Sequence, residues 1–188
     1  YKRQLLGARQ VGKTYILKEF GQREFENVAY INCDNNAMAK DLFASDYNID
    51  RILLTIGAIT GVNIEAGKTL IIMDEIQELH RGLASLKYFC ENAREYHVAV
   101  AGSLLGLSLH QGESYPVGKV NTLEMYPMTF EEFLWARGFK QRMDLLQHGM
   151  WDVVKSLRTL YIQHLREYYL VGGMPEACLL YTSPSPRD

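Results

Sequence analysis

Short apolar runs rich in branched residues alternate along this chain with segments whose apolar positions recur at helical spacing. That alternation is the pattern of βα units around a mostly parallel sheet, so the fold class is α/β. Leu5 and Leu6 end a first strand, Val28 to Asn32 make a second, Thr69 to Met73 a third, His97 to Ala101 a fourth and Val120 to Met125 a fifth. Tyr15 to Phe20 is a helical segment. Ile49, Ile52, Leu53, Ile56 and Ile59 line one helix face, and Leu79, Leu83, Leu86, Cys90 and Ala93 repeat the arrangement before the fourth strand. Core packing accounts for both stripes. After the fifth strand the pattern changes. A short helix is expected at Thr129 to Arg137, and a longer one from about Met150 to Leu170 with Val154, Leu157, Tyr161, Leu165 and Tyr168 on one stripe. No strand separates them, and Gly172, Gly173 and Pro175 form a helix-stop sequence. The reading is a sheet domain at 5–126 followed by a small, lid-like, truncated helical extension at 127–177.

Composition narrows the class without choosing a function. The 188 residues, 47% hydrophobic and 22% charged, suit one soluble domain with a full-sized core. A net charge of -2 supplies no global field toward nucleic acid or an anionic membrane. A nucleic-acid or protein partner, and self-association, stay open, the first two without support from net charge. Cys33, Cys90 and Cys178 are odd in number and widely spaced, which suits neither a disulfide framework nor a C-x-x-C metal site. A reducing cytoplasm is the simplest compartment. The charge-free stretch Ile52 to Ile64 is too short to span a bilayer, and no secretory signal is read. Residues 1–4 and 178–188 resemble translated sequencing-adapter sequence rather than chain selected to fold. Of these, Tyr181 to Asp188 carries two prolines and no apolar period, and is expected to be a disordered tail.

The chemistry is concentrated near the start. Gly7-Ala8-Arg9-Gln10-Val11-Gly12-Lys13-Thr14 matches G-x-x-x-x-G-K-[ST] in full, follows an apolar pair and leads into a helix. Glycines let the backbone turn so that successive N–H groups point at phosphate oxygens, and the helix that follows adds its positive N-terminal end. Lys13, read as an exposed crevice lysine, is a mobile cation for the β and γ phosphates, and the Thr14 hydroxyl is placed to coordinate Mg²⁺. A chance match in a chain of this length is on the order of 1 in 100 from background residue frequencies.

Leu70 to Met73 form an apolar strand ending in Asp74 and Glu75, two carboxylates that are costly at the mouth of a buried strand unless a cation or solvent receives them. Asp74 is assigned to the magnesium ion and Glu75 to the water that attacks the γ phosphate. The competing reading has Asp74 capping a helix and Glu75 merely exposed. Ser103 follows another apolar strand and should face the same crevice, where it would bond the γ phosphate or the attacking water. A plain Gly102-Ser103 turn explains it equally well.

These residues resemble the AAA+ superfamily of P-loop ATPases, and within it a bacterial and archaeal group with a G-x-R-Q-x-G-K-T loop. The resemblance spans about Leu5 to Ala177. Its markers are Arg9-Gln10, Asp74-Glu75-Ile76-Gln77, Ala101-Gly102-Ser103, Tyr126 to Phe133, and Gly172-Gly173-Met174-Pro175. It implies a three-layer P-loop sandwich with the fourth strand between the first and third, Asp74 and Glu75 as the Walker B acids, and Ser103 as sensor. It also implies a winged-helix region and a restriction-endonuclease-like domain beyond this chain, which makes the chain a fragment. Many relatives carry Gly-Arg where this sequence has Gly118-Lys119, and lysine lacks the planar fork of a trans-acting arginine. Arg81, Arg94 and Arg137 are unranked for that role and read as solvated helix charges. The expected function is a Mg²⁺-dependent ATP hydrolase driving a conformational switch. A nucleotide-dependent interaction module without turnover and a P-loop kinase are the alternatives.

Overall fold

In the computed structural model, which describes residues 2–34, 36–43, 46–103 and 120–182, the apolar runs become β1 (Lys2–Gly7), β2 (Asn27–Asn32), β3 (Thr69–Asp74), β4 (His97–Ser103) and β5 (Asn121–Met125). All pair in parallel, in the order β2-β3-β4-β1-β5, so the fourth strand lies between the first and third as the resemblance implies. The chain divides into two compact units, residues 1–9 with 13–125 and residues 10–12 with 126–188.

In the first unit, alternation along the strands sends neighbouring residues to opposite faces of the sheet. Ile71, Met73, Val98 and Val100 pack with Ile52, Ile56, Leu86 and Phe89 on one face. Leu70, Ile72, Ala99 and Ala101 pack with Leu5 and Leu17 on the other. The first face is covered by α3 (Ile49–Thr60) and α4 (Gly82–Asn92), and the second by α1 (Lys13–Glu24). This is the expected three-layer α/β sandwich. Strand β3 is buried along its whole length, which explains why its sequence is an unbroken apolar run up to Asp74. A four-residue α2 (Ala37–Lys40) is capped by Asn36, whose side chain accepts from the Ala39 N–H. Strand β1 reaches back to Lys2, beyond the Leu5-Leu6 pair, and is in register with β4 from Lys2↔Val98 to Gly7↔Ser103.

The second unit is helical: α5 (Phe130–Ala136), α6 (Lys140–Gln147), α7 (Trp151–Ser156), α8 (Arg158–Val171) and α9 (Pro175–Thr182). Phe133, Leu134, Tyr161, Val171 and Cys178 form its core, with Val154, Leu157 and Tyr168 packed at the edge. The single long helix expected from Met150 to Leu170 is two helices. The break is at Leu157 (φ -98, ψ 16), whose N–H is shared between the Val153 and Val154 carbonyls at 3.1 and 3.2 Å. Helix α6 went unpredicted because Met143 and Leu146 alone among its residues reach the core, too few to register as a period. Gly172 ends α8 in the left-handed region (φ 69), where its N–H reaches the Tyr168 carbonyl. Pro175 then starts a new helix, which its fixed φ and missing N–H favour at a first turn. That helix takes in Tyr181 and Thr182 of the expected disordered tail; residues 183–188 lie outside the described ones. No described helix is long and apolar enough to cross a membrane.

Candidate nucleotide site

Between Gly7 at the end of β1 and Lys13 at the start of α1 the chain turns through two left-handed residues, Gln10 (φ 65) and Gly12 (φ 93). Glycine takes that conformation freely, whereas at Gln10 it is a local strain of about 1–3 kcal/mol. Lys13 is 6% exposed rather than exposed in the crevice. Its Nζ donates to the carbonyls of Gly7 at 3.1 Å and Ala8 at 2.7 Å. A buried ammonium needs acceptors, and the carbonyls of the loop it follows are the nearest, so the side chain folds back over them.

Thr14, one residue further, donates from Oγ1 to Asp74 Oδ2 at 2.5 Å, across sixty residues of sequence. Asp74 ends β3 at 5% exposure and is fully engaged. Oδ2 also accepts from the Tyr30 hydroxyl at 3.2 Å, and Oδ1 accepts from the Glu75 N–H at 3.1 Å. It does not cap the short 3₁₀ turn at Ile76–Glu78; Glu75 is the residue in that position, without a side-chain cap bond. Glu75 itself is left-handed (φ 53, ψ 46), and its Oε2 accepts from Gln77 Nε2 at 2.5 Å.

The two acids leave an electrostatic mark on their neighbours. Burial, and then the Asp74 charge and hydrogen bond, push the Tyr30 phenol up to about 12. Burial, followed by Asp74 and Glu75, pushes the Cys33 thiol up to about 12. Negative charge is thus concentrated at the carboxyl end of β3, which suits a divalent cation. Among the described residues no cluster of three or more His, Cys, Asp or Glu forms a ready cage. One hydroxyl and one carboxylate, both hard oxygen donors, fit Mg²⁺, which keeps waters and shares phosphate oxygens, better than a metal that needs an all-protein shell.

Register aligns the rest. Gly7 pairs with Ser103 and Asn32 with Asp74, so Gly7, Asp74 and Ser103 all stand at the carboxyl edge of the sheet. In open α/β sheets ligands bind outside that edge. Ser103 is 6% exposed. Lys119 lies outside the described residues. Two of the three arginines are not solvated helix charges. Arg81 stacks over the Tyr47 ring at 4.3 Å and donates to its hydroxyl at 3.0 Å, and Arg137 pairs with Glu167 at 3.7 Å with both side chains largely buried. Planar guanidinium groups stack and pair in semi-buried settings where helical periodicity reads only a charge. Arg94 donates to the Cys90 carbonyl at 3.2 Å. Sequence reasoning passed over Tyr30 and assigned no role to Gln77. Gln77 stood in the quoted Asp74-Glu75-Ile76-Gln77 run, whereas nothing about Tyr30 showed until β2 was paired with β3.

A family model described as an AAA domain matches residues 4–134. No curated protein matches the chain. Among solved structures, ORC1 of Aeropyrum pernix in complex with DNA is similar at 15% identity over 73% of this chain and 43% of that one, with a TM-score of 0.44. The RuvB Holliday junction branch migration motor of Thermotoga maritima is similar at 18% identity over 78% and 44%, TM-score 0.44. Cdc6p of Pyrobaculum aerophilum is similar at 13% identity over 70% and 40%, TM-score 0.41. The chain spans less than half the length of each of these proteins.

Proposed function

The chain belongs to the AAA domain family, and from that premise we propose that it binds Mg-ATP on the loop from Gly7 to Thr14 and hydrolyses it to drive a conformational switch. The observation that carries this reading is the bond from Thr14 to Asp74 across sixty residues, beside a Lys13 that holds the carbonyls of its own loop. The loop N–H groups between Gly7 and Gly12 cradle the phosphates, and Lys13 exchanges its carbonyl partners for β- and γ-phosphate oxygens. Thr14 and Asp74 would hold the magnesium ion, which would offset charge on the phosphates when bound. Glu75 takes a proton from the attacking water as its oxygen bonds to the γ phosphorus; the bond to the β–γ bridging oxygen breaks, and ADP departs with that electron pair. Ser103 bonds the γ phosphate or the attacking water.

The test is Glu75→Gln beside Asp74→Asn, in the full-length protein. Glu75→Gln keeps size and hydrogen bonding but not basicity, so Mg-ATP affinity stays within a few-fold while phosphate release falls about 10²- to 10⁴-fold. Asp74→Asn loses magnesium-dependent binding as well. Wild type that binds Mg-ATP without turnover makes the protein an interaction module. Release of phosphate only when a small acceptor is supplied makes it a kinase.

A further inference from the structure

Gln77 lies two residues past Glu75 and is 4% exposed. Its Nε2 donates to Glu75 Oε2, which dictates where the other end of the amide goes. Oε1 is buried and accepts no hydrogen bond from any described residue. A half-turn of the amide would give no relief, because it would set Oε1 against a carboxylate, acceptor against acceptor. The amide therefore keeps an unsatisfied carbonyl in order to direct its N–H group at Glu75.

Gly102, in β4, accounts for where that carbonyl is lodged. Its φ is not in the left-handed region, so backbone freedom does not call for glycine there. What glycine supplies is the missing side chain: a Cβ at this position would stand 2.7 Å from Gln77 Oε1. Glu75 adds a third cost, since a non-glycine residue at φ 53 is strained. A left-handed Glu75, an orphaned Gln77 oxygen and a bare Gly102 all meet around one hydrogen bond, from Gln77 Nε2 to Glu75 Oε2.

We propose that Gln77 is a positioning residue that aims the Glu75 carboxylate, and that Gly102 is glycine so that the Gln77 amide can enter. The proposal rests on Glu75 being the base. If Gln77 served only to brace the 3₁₀ turn, its loss would lower stability and leave catalysis alone.

The experiment compares Gln77→Ala, Gly102→Ala, the double variant and Glu75→Gln in the full-length protein, reading kcat, KM for Mg-ATP and melting temperature. The atom that a Gly102→Ala methyl meets is the far end of a flexible side chain, so the fold survives while the amide is displaced. Gln77→Ala and Gly102→Ala are each expected to lower kcat about ten- to a hundredfold, the worth of one hydrogen bond to a charged group, with KM within roughly threefold. The double variant should be no slower than Gln77→Ala alone, because Gly102→Ala acts only by moving that amide. If Gln77→Ala does not fold, Gln77→Met, of similar length without the amide, takes its place. Multiplied losses in the double variant overturn the Gly102 assignment. Wild-type kcat in Gln77→Ala beside a slowed Glu75→Gln overturns the Gln77 role alone. Unchanged turnover in Glu75→Gln, or a wild type without turnover, removes the base reading and this one with it.

Discussion

Replacing Lys13 with alanine acts on two equilibria at once. The side chain is buried and its Nζ holds the Gly7 and Ala8 carbonyls at 3.1 and 2.7 Å. Hydrogen bonds to a charged group are worth about 1.5–3 kcal/mol each, but truncation lets water reach the freed carbonyls, so a net loss of about 2 kcal/mol is expected. For a chain of this size that lowers the melting temperature by roughly 4–8 °C. On the proposed function the same Nζ exchanges these partners for phosphate oxygens, so its loss is expected to weaken Mg-ATP binding by about tenfold to more than a hundredfold. At a ligand concentration of about 100 times the wild-type Kd, Mg-ATP stabilises wild type by about 2.7 kcal/mol. A variant with hundredfold weaker binding gains only about 0.4 kcal/mol by the same relation. Thermal unfolding with and without Mg-ATP, paired with calorimetric titration, reads both effects. An unchanged melting temperature without ligand refutes the bracing of the loop by Lys13. A ligand-induced shift equal to that of wild type refutes the site.

Three further outcomes follow from packing, capping and titration. Gly21→Ala gains helix propensity but sets a Cβ 2.8 Å from Val28 Cγ2, a stiff β-branched neighbour, and 3.2 Å from Leu70 Cδ2. A net loss of about 1 kcal/mol is expected by chemical denaturation, and a gain in stability would show that α1 can move off the sheet. Thr129→Ala breaks the capping box in which Thr129 Oγ1 accepts from the Glu132 N–H at 3.2 Å and Glu132 accepts from the Thr129 N–H at 2.7 Å. Helical signal should be lost about 1 kcal/mol earlier in a urea titration, and an unmoved midpoint would make the box ornamental. His97, tilted against Phe25 at 5.1 Å, is held below its ordinary value of 6.5 by burial above all and then by nearby positive charge, Lys2 included. The unfolded chain therefore takes up that proton first, so the contribution is complete above about pH 6.5 and is lost as pH falls through the lowered value. Urea midpoints between pH 7.5 and 5.5 should decline less in His97→Phe than in wild type, and equal declines would refute the linkage.

What the sequence determined by itself is what depends on neighbours along the chain. A parallel strand covered on both faces must be an apolar run, so β3 and β4 were legible from composition over five or six positions, and β2 from the apolar centre Val28 to Ile31. The turn from Gly7 to Gly12 and the helix after it were legible for the same reason, since Gly12 and the helix beginning at Lys13 lie in one continuous stretch. The position of β4 between β3 and β1 came from resemblance, because periodicity says which face a residue occupies and nothing about which strand lies beside it. Only the tertiary structure decided that Lys13 folds back onto its own loop, that Tyr30 reaches Asp74, that Gln77 grips Glu75 against a bare Gly102, and that Arg137 pairs with Glu167. The break at Leu157 belongs with them. Each depends on where side chains from separate elements meet, which register, twist and packing decide. A shift of one residue in strand pairing turns every side chain to the other face, so no reading of a single element could have placed these contacts.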